Sequence, residues 1–403
     1  MTDSGPAKLG TFLTGLRVLD LSQYIPGPMA TLFLADMGAE VLKIEPPQGD
    51  EVRNLGPTDS LGRPIYYRAL NAGKSILRMN LKDPGEHAAF LDLVREADIV
   101  VEGFRPGVMA RLGIDWPVLH AHNPRLILCS INGYGAHSSK ATHAGHDANY
   151  LAEMGVAHRN GGDAPFFYDP PLADSAGSLF AAILLLGALH GRNRTGLGCC
   201  LELALADTVM PLQMMQTAGF GVTGTVQQRS SYYLNGGAAF YQVYPIAEGR
   251  HIVLGAVEPK FWANFCSEVG RPDLITRRGD AMPQTGLMAE VAYIVARMRA
   301  DEVEQRFGPL DCCVSVVKDL GETLGSHQVK ERQLVRADAD GEIQSLLPVW
   351  IDGAPPHLRA PLREAGAVGT WAAVHGAERP IFNDLSDLPD PIFSKPDTKR
   401  SGA

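Results

Sequence analysis

The stretch Ala-Gly-His-Asp-Ala-Asn-Tyr at 144–150 sets His146 beside Asp147. An imidazole that titrates near neutrality, next to a carboxylate, suits a metal site, a buried hydrogen-bonded pair, or a base that moves a proton. His143 and His146 are three residues apart with Asp147 adjacent, and no further ligand cluster lies nearby in sequence. This is not the spacing of a helical zinc motif, so no metal is assigned. The plain structural alternative is a turn histidine satisfied by backbone groups, with Asp147 capping a helix over the following residues. Asp174, in PPLADSAGSLF, opens a long apolar run. A carboxylate there caps a first turn, and it is also held rigidly, as a base or nucleophile has to be. Glu258, in LGAVEPKFW, ends an apolar strand ahead of a proline, where solvent or a pairing with Lys260 is the ordinary outcome. Lys74, Lys82 and Arg105 suit the phosphates of an anionic ligand, and singly they suit solvated surface positions equally well.

The elements that must hold these residues begin as alternating strands and helices. Residues 15–22, GLRVLDLS, read as a buried strand, followed by a helix opening near Pro28 and stopping at Gly38, then a strand over AEVLKIE. That order is a βαβ unit. Strands follow at 75–81, 98–104 and 124–135, with an amphipathic helix over GEHAAFLDLVREA. The fold class is therefore α/β, with a doubly wound sheet over the first 135 residues. A smaller α+β domain follows, with paired strands and short helices over 234–328. The first part of the large domain is placed at 1–200, linker helices at 201–233, and a C-terminal segment at 329–403 that reads as extended and surface-bound. In such sheets ligands bind beyond the carboxyl ends of the strands, where the polar exits SQYIPG, EPPQGD, EGFRPG and NGYGAH fall. Neither GxGxxG nor a P-loop is present, so the cleft holds its ligand by other means.

The 403 residues carry a formal charge of −9, which argues against a nucleic-acid partner. The 6 cysteines form no CxxC and fit neither a zinc site nor a secreted disulfide framework, so they read as reduced, mostly buried thiols. The apolar run at 179–189 is short for a bilayer and reads as a buried helix, and the start shows no hydrophobic signal core. A soluble, cytoplasmic protein without a membrane partner is expected.

Taken in order, GLRVLDLSQYIPGPMATLFLADMGAEVLKIE, EGFRPGVMARLGID, INGYG, AGHDANYLAEMG, DSAGSLFAAILLLGAL and GAVEPKFW resemble the family III coenzyme A transferase (CaiB/BaiF) superfamily, which includes the α-methylacyl-CoA racemases. The resemblance implies a fold of a large Rossmann-like domain and a small domain, two subunits interlocked as a homodimer, and a C-terminal segment returning to the large domain. It implies an acyl-CoA thioester substrate and no cofactor, CoA being part of the substrate. The GHD-x-NY and EP-x-F stretches resemble the racemases. There His146 and Asp174 would be the two bases that exchange an α-proton through an enolate, and Glu258 would orient the histidine. Backbone N–H groups at a helix start would stabilise the enolate oxygen. Lys74, Lys82 and Arg105 would hold the nucleotide of CoA, Tyr150 would line the pantetheine path, and Met79 and Asp147 would complete the CoA contacts. The transferases resemble the chain at Asp174, where the aspartate carries acyl and CoA-linked intermediates, so CoA transfer stands as the alternative activity.

Overall fold

In the computed structural model, which describes residues 8–338, 341–365 and Trp371, the chain divides into two units. The first comprises the residues up to Asp147, Pro170–Thr208 and those from Leu324 onward; the second comprises Ala148–Asp169 and Val209–Thr323. The sequence reading differs from this at two places. Residues 148–169 group with the second unit rather than with 1–200. The span 201–233, expected as linker helices, instead divides between a strand at Cys200–Ala204 in the first unit and a helix at Met214–Thr223 in the second.

The first unit is built on β1 (Arg17–Leu21), β2 (Glu40–Glu45), β3 (Ser75–Arg78), β4 (Ile99–Glu102), β5 (Ile127–Asn132) and β6 (Cys200–Ala204). The second unit holds β7 (Tyr241–Pro245), β8 (His251–Gly255) and β9 (Val314–Val316) as an antiparallel sheet. Late in the chain, β10 (Val335–Ala337) and β11 (Ile343–Ser345) form a hairpin, and β12 (Arg363–Glu364) joins the large sheet. The large sheet runs β12-β3-β2-β1-β4-β5-β6, parallel throughout. Its first four strands are the apolar runs read from the sequence, each shortened to the residues buried on both faces, as a parallel sheet covered by helices requires. Strand order reverses between β1 and β4, which makes the carboxyl ends of those strands the crevice of the sheet.

Charge staples that end of the sheet. Asp20 in β1 and Lys43 in β2 are register partners, and Lys74 enters from the residue before β3. All three side chains are buried. Lys74 Nζ donates to Asp20 Oδ2 at 3.1 Å, to the Pro28 carbonyl at 2.8 Å and to Asn71 Oδ1 at 2.9 Å. Lys43 Nζ pairs with Asp50 Oδ2 at 3.0 Å and donates to the Ser22 carbonyl at 2.7 Å. Burial alone would raise the Asp20 pKa, but Lys74, Lys43 and the Ser22 and Thr31 hydroxyls overcome it and hold the carboxyl well below the usual range. Burial pushes Lys74 down to about 8 against the pull of Asp20, which leaves it protonated at neutral pH.

Three expectations about burial are corrected. The helix around residues 179–189 spans Leu172–Thr195 and is long and apolar enough to cross a membrane, by length and composition only. It buries one face through Ala173, Ala176, Ala181, Leu185 and Leu189 and leaves Leu179, Ile183 and Leu184 exposed, so it is not a fully buried helix. The chain beyond Leu324 is not merely extended on the surface. Arg359 makes a buried two-pronged ion pair with Asp36, at 2.7 Å to each oxygen, and Trp371 packs into the sheet's core with its Nε1 donating to Glu40 at 2.8 Å. Cysteine burial is mixed. Cys129, Cys266 and Cys312 are buried, while Cys200 and Cys313 are exposed.

Removing Lys74 as Lys74→Ala strands Asp20 without its nearest countercharge. Stability should fall by about 3–5 kcal/mol. Urea unfolding followed by circular dichroism measures this, and an unchanged midpoint would show that the cluster carries no stability.

Candidate active site

His146 stands at the end of a loop that leaves β5 at Asn132, and the loop is built from successive turns. Gly135 N donates to Asn132 Oδ1 at 2.5 Å, Ala141 N to the Ser138 carbonyl at 3.0 Å and His143 N to the Lys140 carbonyl at 2.9 Å. Glu202 of β6 accepts from Ala136 N and from Asn132 Nδ2, tying the start of the loop to the sheet edge. This leaves His146 exposed at the head of the Asp147–Glu153 helix.

Asp174 occupies the first turn of the Leu172–Thr195 helix, which Pro171 begins without any side-chain cap of its own. The turn is fixed from outside. Thr208 Oγ1 donates to the Ala173 carbonyl at 3.4 Å and Ser178 Oγ to the Asp174 carbonyl at 2.9 Å. One turn on, Gly177 lets the helix pack closely, since a Cβ there would meet Leu205 Cδ2 at 2.4 Å and Pro26 Cβ at 3.9 Å. The second of these brings the start of the Pro26–Asp36 helix, and with it the crevice of the sheet, beside the Asp174 helix.

The carboxyl of Asp174 is half-buried. Burial and the Asp147 charge raise its pKa to about 6, against the opposing influence of His146. His146, Asp147 and Asp174 are thus close enough to act on one another within the first unit. A carboxyl that exchanges its proton near neutral pH beside an imidazole is suited to general acid–base work on a weakly acidic C–H.

The remaining sequence candidates divide. Arg105 and Lys82 are exposed, Arg105 in the loop after β4 at the crevice. That loop is anchored by Glu102, whose Oε2 accepts from Phe104 N at 2.7 Å and whose pKa burial raises. Lys74 is corrected. It is buried with three acceptors around its ammonium, so it staples the sheet and is not available to a phosphate. Met79 is also corrected, because its side chain packs in the core with Leu77, Phe90 and Leu93. Tyr150 is buried. Glu258 belongs to the second unit, where it is exposed at the head of the Pro259–Glu268 helix. Sequence reasoning missed the anchoring roles of Glu102 and Glu202. Glu102 closes β4, a signal available once that strand had been assigned, whereas Glu202 lies in the middle of β6 and carried no such signal.

The CoA-transferase family III model matches residues 13–365. The chain belongs to that family. It is 32% identical over 402 residues to succinyl-CoA–D-citramalate CoA-transferase of Chloroflexus aurantiacus, covering 96% of this chain and 97% of the relative. It is 31% identical over 324 residues to human alpha-methylacyl-CoA racemase, covering 79% and 81%. A CAIB/BAIF family protein from Brucella suis has the same fold, with a TM-score of 0.78 at 25% identity over 87% of this chain and 95% of that one. This family III member is an enzyme of the transferase and racemase superfamily, with the mixed α/β architecture of its structural relatives.

A raised carboxyl pKa has a sign in the stability of the protein. Between the ordinary aspartate value of 3.8 and about 6, the folded state holds a proton at Asp174 that the unfolded chain releases. Ionised Asp174 therefore opposes folding above that window and is neutral in effect below it. Asp174→Asn should stabilise the fold by about 2–3 kcal/mol at pH 7.5 and by nothing at pH 3.5. Denaturation midpoints of the two proteins at both pH values decide it; a gain that does not depend on pH would contradict the assignment.

Proposed function

We propose that the protein is an acyl-CoA racemase or epimerase acting on 2-methylacyl-CoA thioesters. The observation that carries this reading is the Asp174 carboxyl, raised to about 6, within electrostatic reach of His146. Removing the proton α to a thioester leaves an enolate with its charge on the thioester oxygen. In one direction neutral His146 takes the α-proton from one face of the substrate and protonated Asp174 delivers its own to the other. The imidazolium and the carboxylate then stand ready for the reverse reaction. A carboxyl near 6 changes its protonation state close to neutral pH, as a group that both gives and takes a proton must. Arg105 and Lys82 take the nucleotide phosphates of CoA, and no cofactor is used.

Incubating one epimer of a 2-methylacyl-CoA in D₂O should place deuterium at the α-carbon and produce the other epimer, followed by NMR. His146→Ala should slow the exchange on the order of 10²–10⁴-fold. No label gained across several acyl-CoAs would overturn the reading.

CoA transfer is the second reading, and it is favoured by relatives such as the acetyl-CoA:oxalate CoA-transferase of Acetobacter aceti, 34% identical over 287 residues. Ionised Asp174 would then attack the thioester carbonyl carbon, forming an acyl-Asp174 anhydride as the C–S bond breaks and CoA leaves as the thiolate. Hydroxylamine should trap an acyl-Asp174, and CoA should pass from an acyl donor to a free acid in a reaction that His146→Ala largely spares.

We further propose that two copies associate. The Leu172–Thr195 helix exposes Leu179, Ile183 and Leu184, and the Met214–Thr223 helix has no buried residue and exposes Met214, Met215, Phe220 and Val222. Apolar faces of this kind are unusual on a monomer surface and suit a partner of the same composition. Light scattering coupled to size exclusion should give a dimer mass, and Ile183→Glu should lower it; a monomer mass for the unmodified chain would refute the association.

A further inference from the structure

Asp147 stands next to His146 in sequence, yet its carboxylate is spent elsewhere. Oδ1 accepts from Ala173 N at 2.5 Å and from Asp174 N at 3.2 Å, across 26 and 27 residues of chain. These are two of the N–H groups that the first turn of a helix leaves without an intrahelical partner. They are ordinarily met by the residue just before the helix, but here that residue is Pro171, which makes no side-chain cap. Asp147 is therefore a cap supplied from a distance, and it ties the loop that carries His146 to the turn that carries Asp174.

We propose that Asp147 is a positioning residue for Asp174: it fixes where that carboxyl stands and, through its own negative charge, governs when the carboxyl carries a proton. The proposal rests on the proton-transfer reading of the site and deepens it. The charges that act on Asp174 are Asp147 and His146, with opposite effects. Near that turn, Pro26 lies by Gly177, and the Leu205–Thr208 helix sets the Thr208 hydroxyl on the Ala173 carbonyl while its Asp207 is exposed. The helix start itself favours an ionised Asp174. The carboxyl is nevertheless raised, because burial and Asp147 together outweigh the helix start and His146. The contacts also explain why the two motifs depend on each other. A shift of the Asp147 backbone moves His146 by covalent connection and Asp174 by hydrogen bonds, so acid and base keep their separation.

Two substitutions separate the roles. Asp147→Asn keeps an acceptor oxygen for the two N–H groups and removes the charge; Asp147→Ala removes both. The proton held by Asp174 is read without turnover, by the pH dependence of carbodiimide labelling of Asp174 in the full-length protein, resolved by peptide mass spectrometry. The unmodified protein should label with a midpoint near 6. Asp147→Asn should move the midpoint down by about one unit, which reduces the protonated fraction about tenfold at neutral pH. In α-proton exchange at pH 7.5, Asp147→Asn should lower kcat by about the same factor with KM within about twofold. Asp147→Ala should lower kcat further, since the helix start then loses its acceptor. An unmoved labelling midpoint in Asp147→Asn overturns the electrostatic role, and equal kcat values for the two variants overturn the tethering role. If the unmodified enzyme exchanges no α-proton, the racemase reading falls, while the labelling midpoints still decide whether Asp147 controls Asp174.

Discussion

The architecture depends on a set of charges placed where charges are most costly. Asp20, Lys43 and Lys74 sit inside a parallel sheet, and each is tolerated only because the others and a ring of carbonyls and hydroxyls complete its hydrogen bonding. The arrangement crosses three adjacent strands and also takes in the carbonyls of Ser22 and Pro28, at the two ends of the turn between β1 and the following helix. Apolar packing would hold the strands together just as well, but it would not specify where the loop after β1 leaves the sheet. Directional contacts do so, and this loop borders the crevice at the strand-order reversal. From there the sequence of dependence runs outward. The sheet fixes the Pro26–Asp36 helix, that helix packs on the Leu172–Thr195 helix at Gly177, and the latter presents Asp174.

Much of the sheet is legible in the sequence because a doubly covered strand leaves an unmistakable mark. VLDL, EVLKIE and DIVVE are dense in branched apolar residues and end in polar turns, and each appears as a strand within a residue or two of its expected place. The helix over residues 84–96 is equally plain, with Asp83 capping Gly85 and Glu86. Asp174 at the start of its helix is legible for the same reason. What fails to show is the environment of individual polar residues. A lysine in a sequence announces its charge but not its burial, so Lys74 reads as a phosphate ligand when it is a structural ion. An apolar run announces its length but not which face is covered, so the Leu172–Thr195 helix reads as buried when half of it faces outward. The Asp147 bonds to Ala173 and Asp174 join positions whose proximity no local pattern encodes, and only the folded chain reveals them.

The two chemistries proposed for the site would ask different things of Asp174. A proton carrier and a nucleophile make different demands on the same group. A nucleophile must be ionised and exposed on the side of the carbonyl carbon, whereas a proton carrier must change state near the working pH. Asp174 is half-buried and accompanied by a second carboxylate and an imidazole, which favours changing state.

The edge strand β12 carries a consequence for how the molecule is made. It pairs with β3, and its Arg363 reaches Ser75 across 288 residues of chain. While the polypeptide emerges from the ribosome, the rim of the sheet along β3 therefore waits for its neighbour through the 288 residues between Ser75 and Arg363. An open strand rim is a template for unwanted pairing with other chains. The nascent protein is exposed to that hazard until β12 arrives and, together with the Arg359–Asp36 clasp, closes the rim.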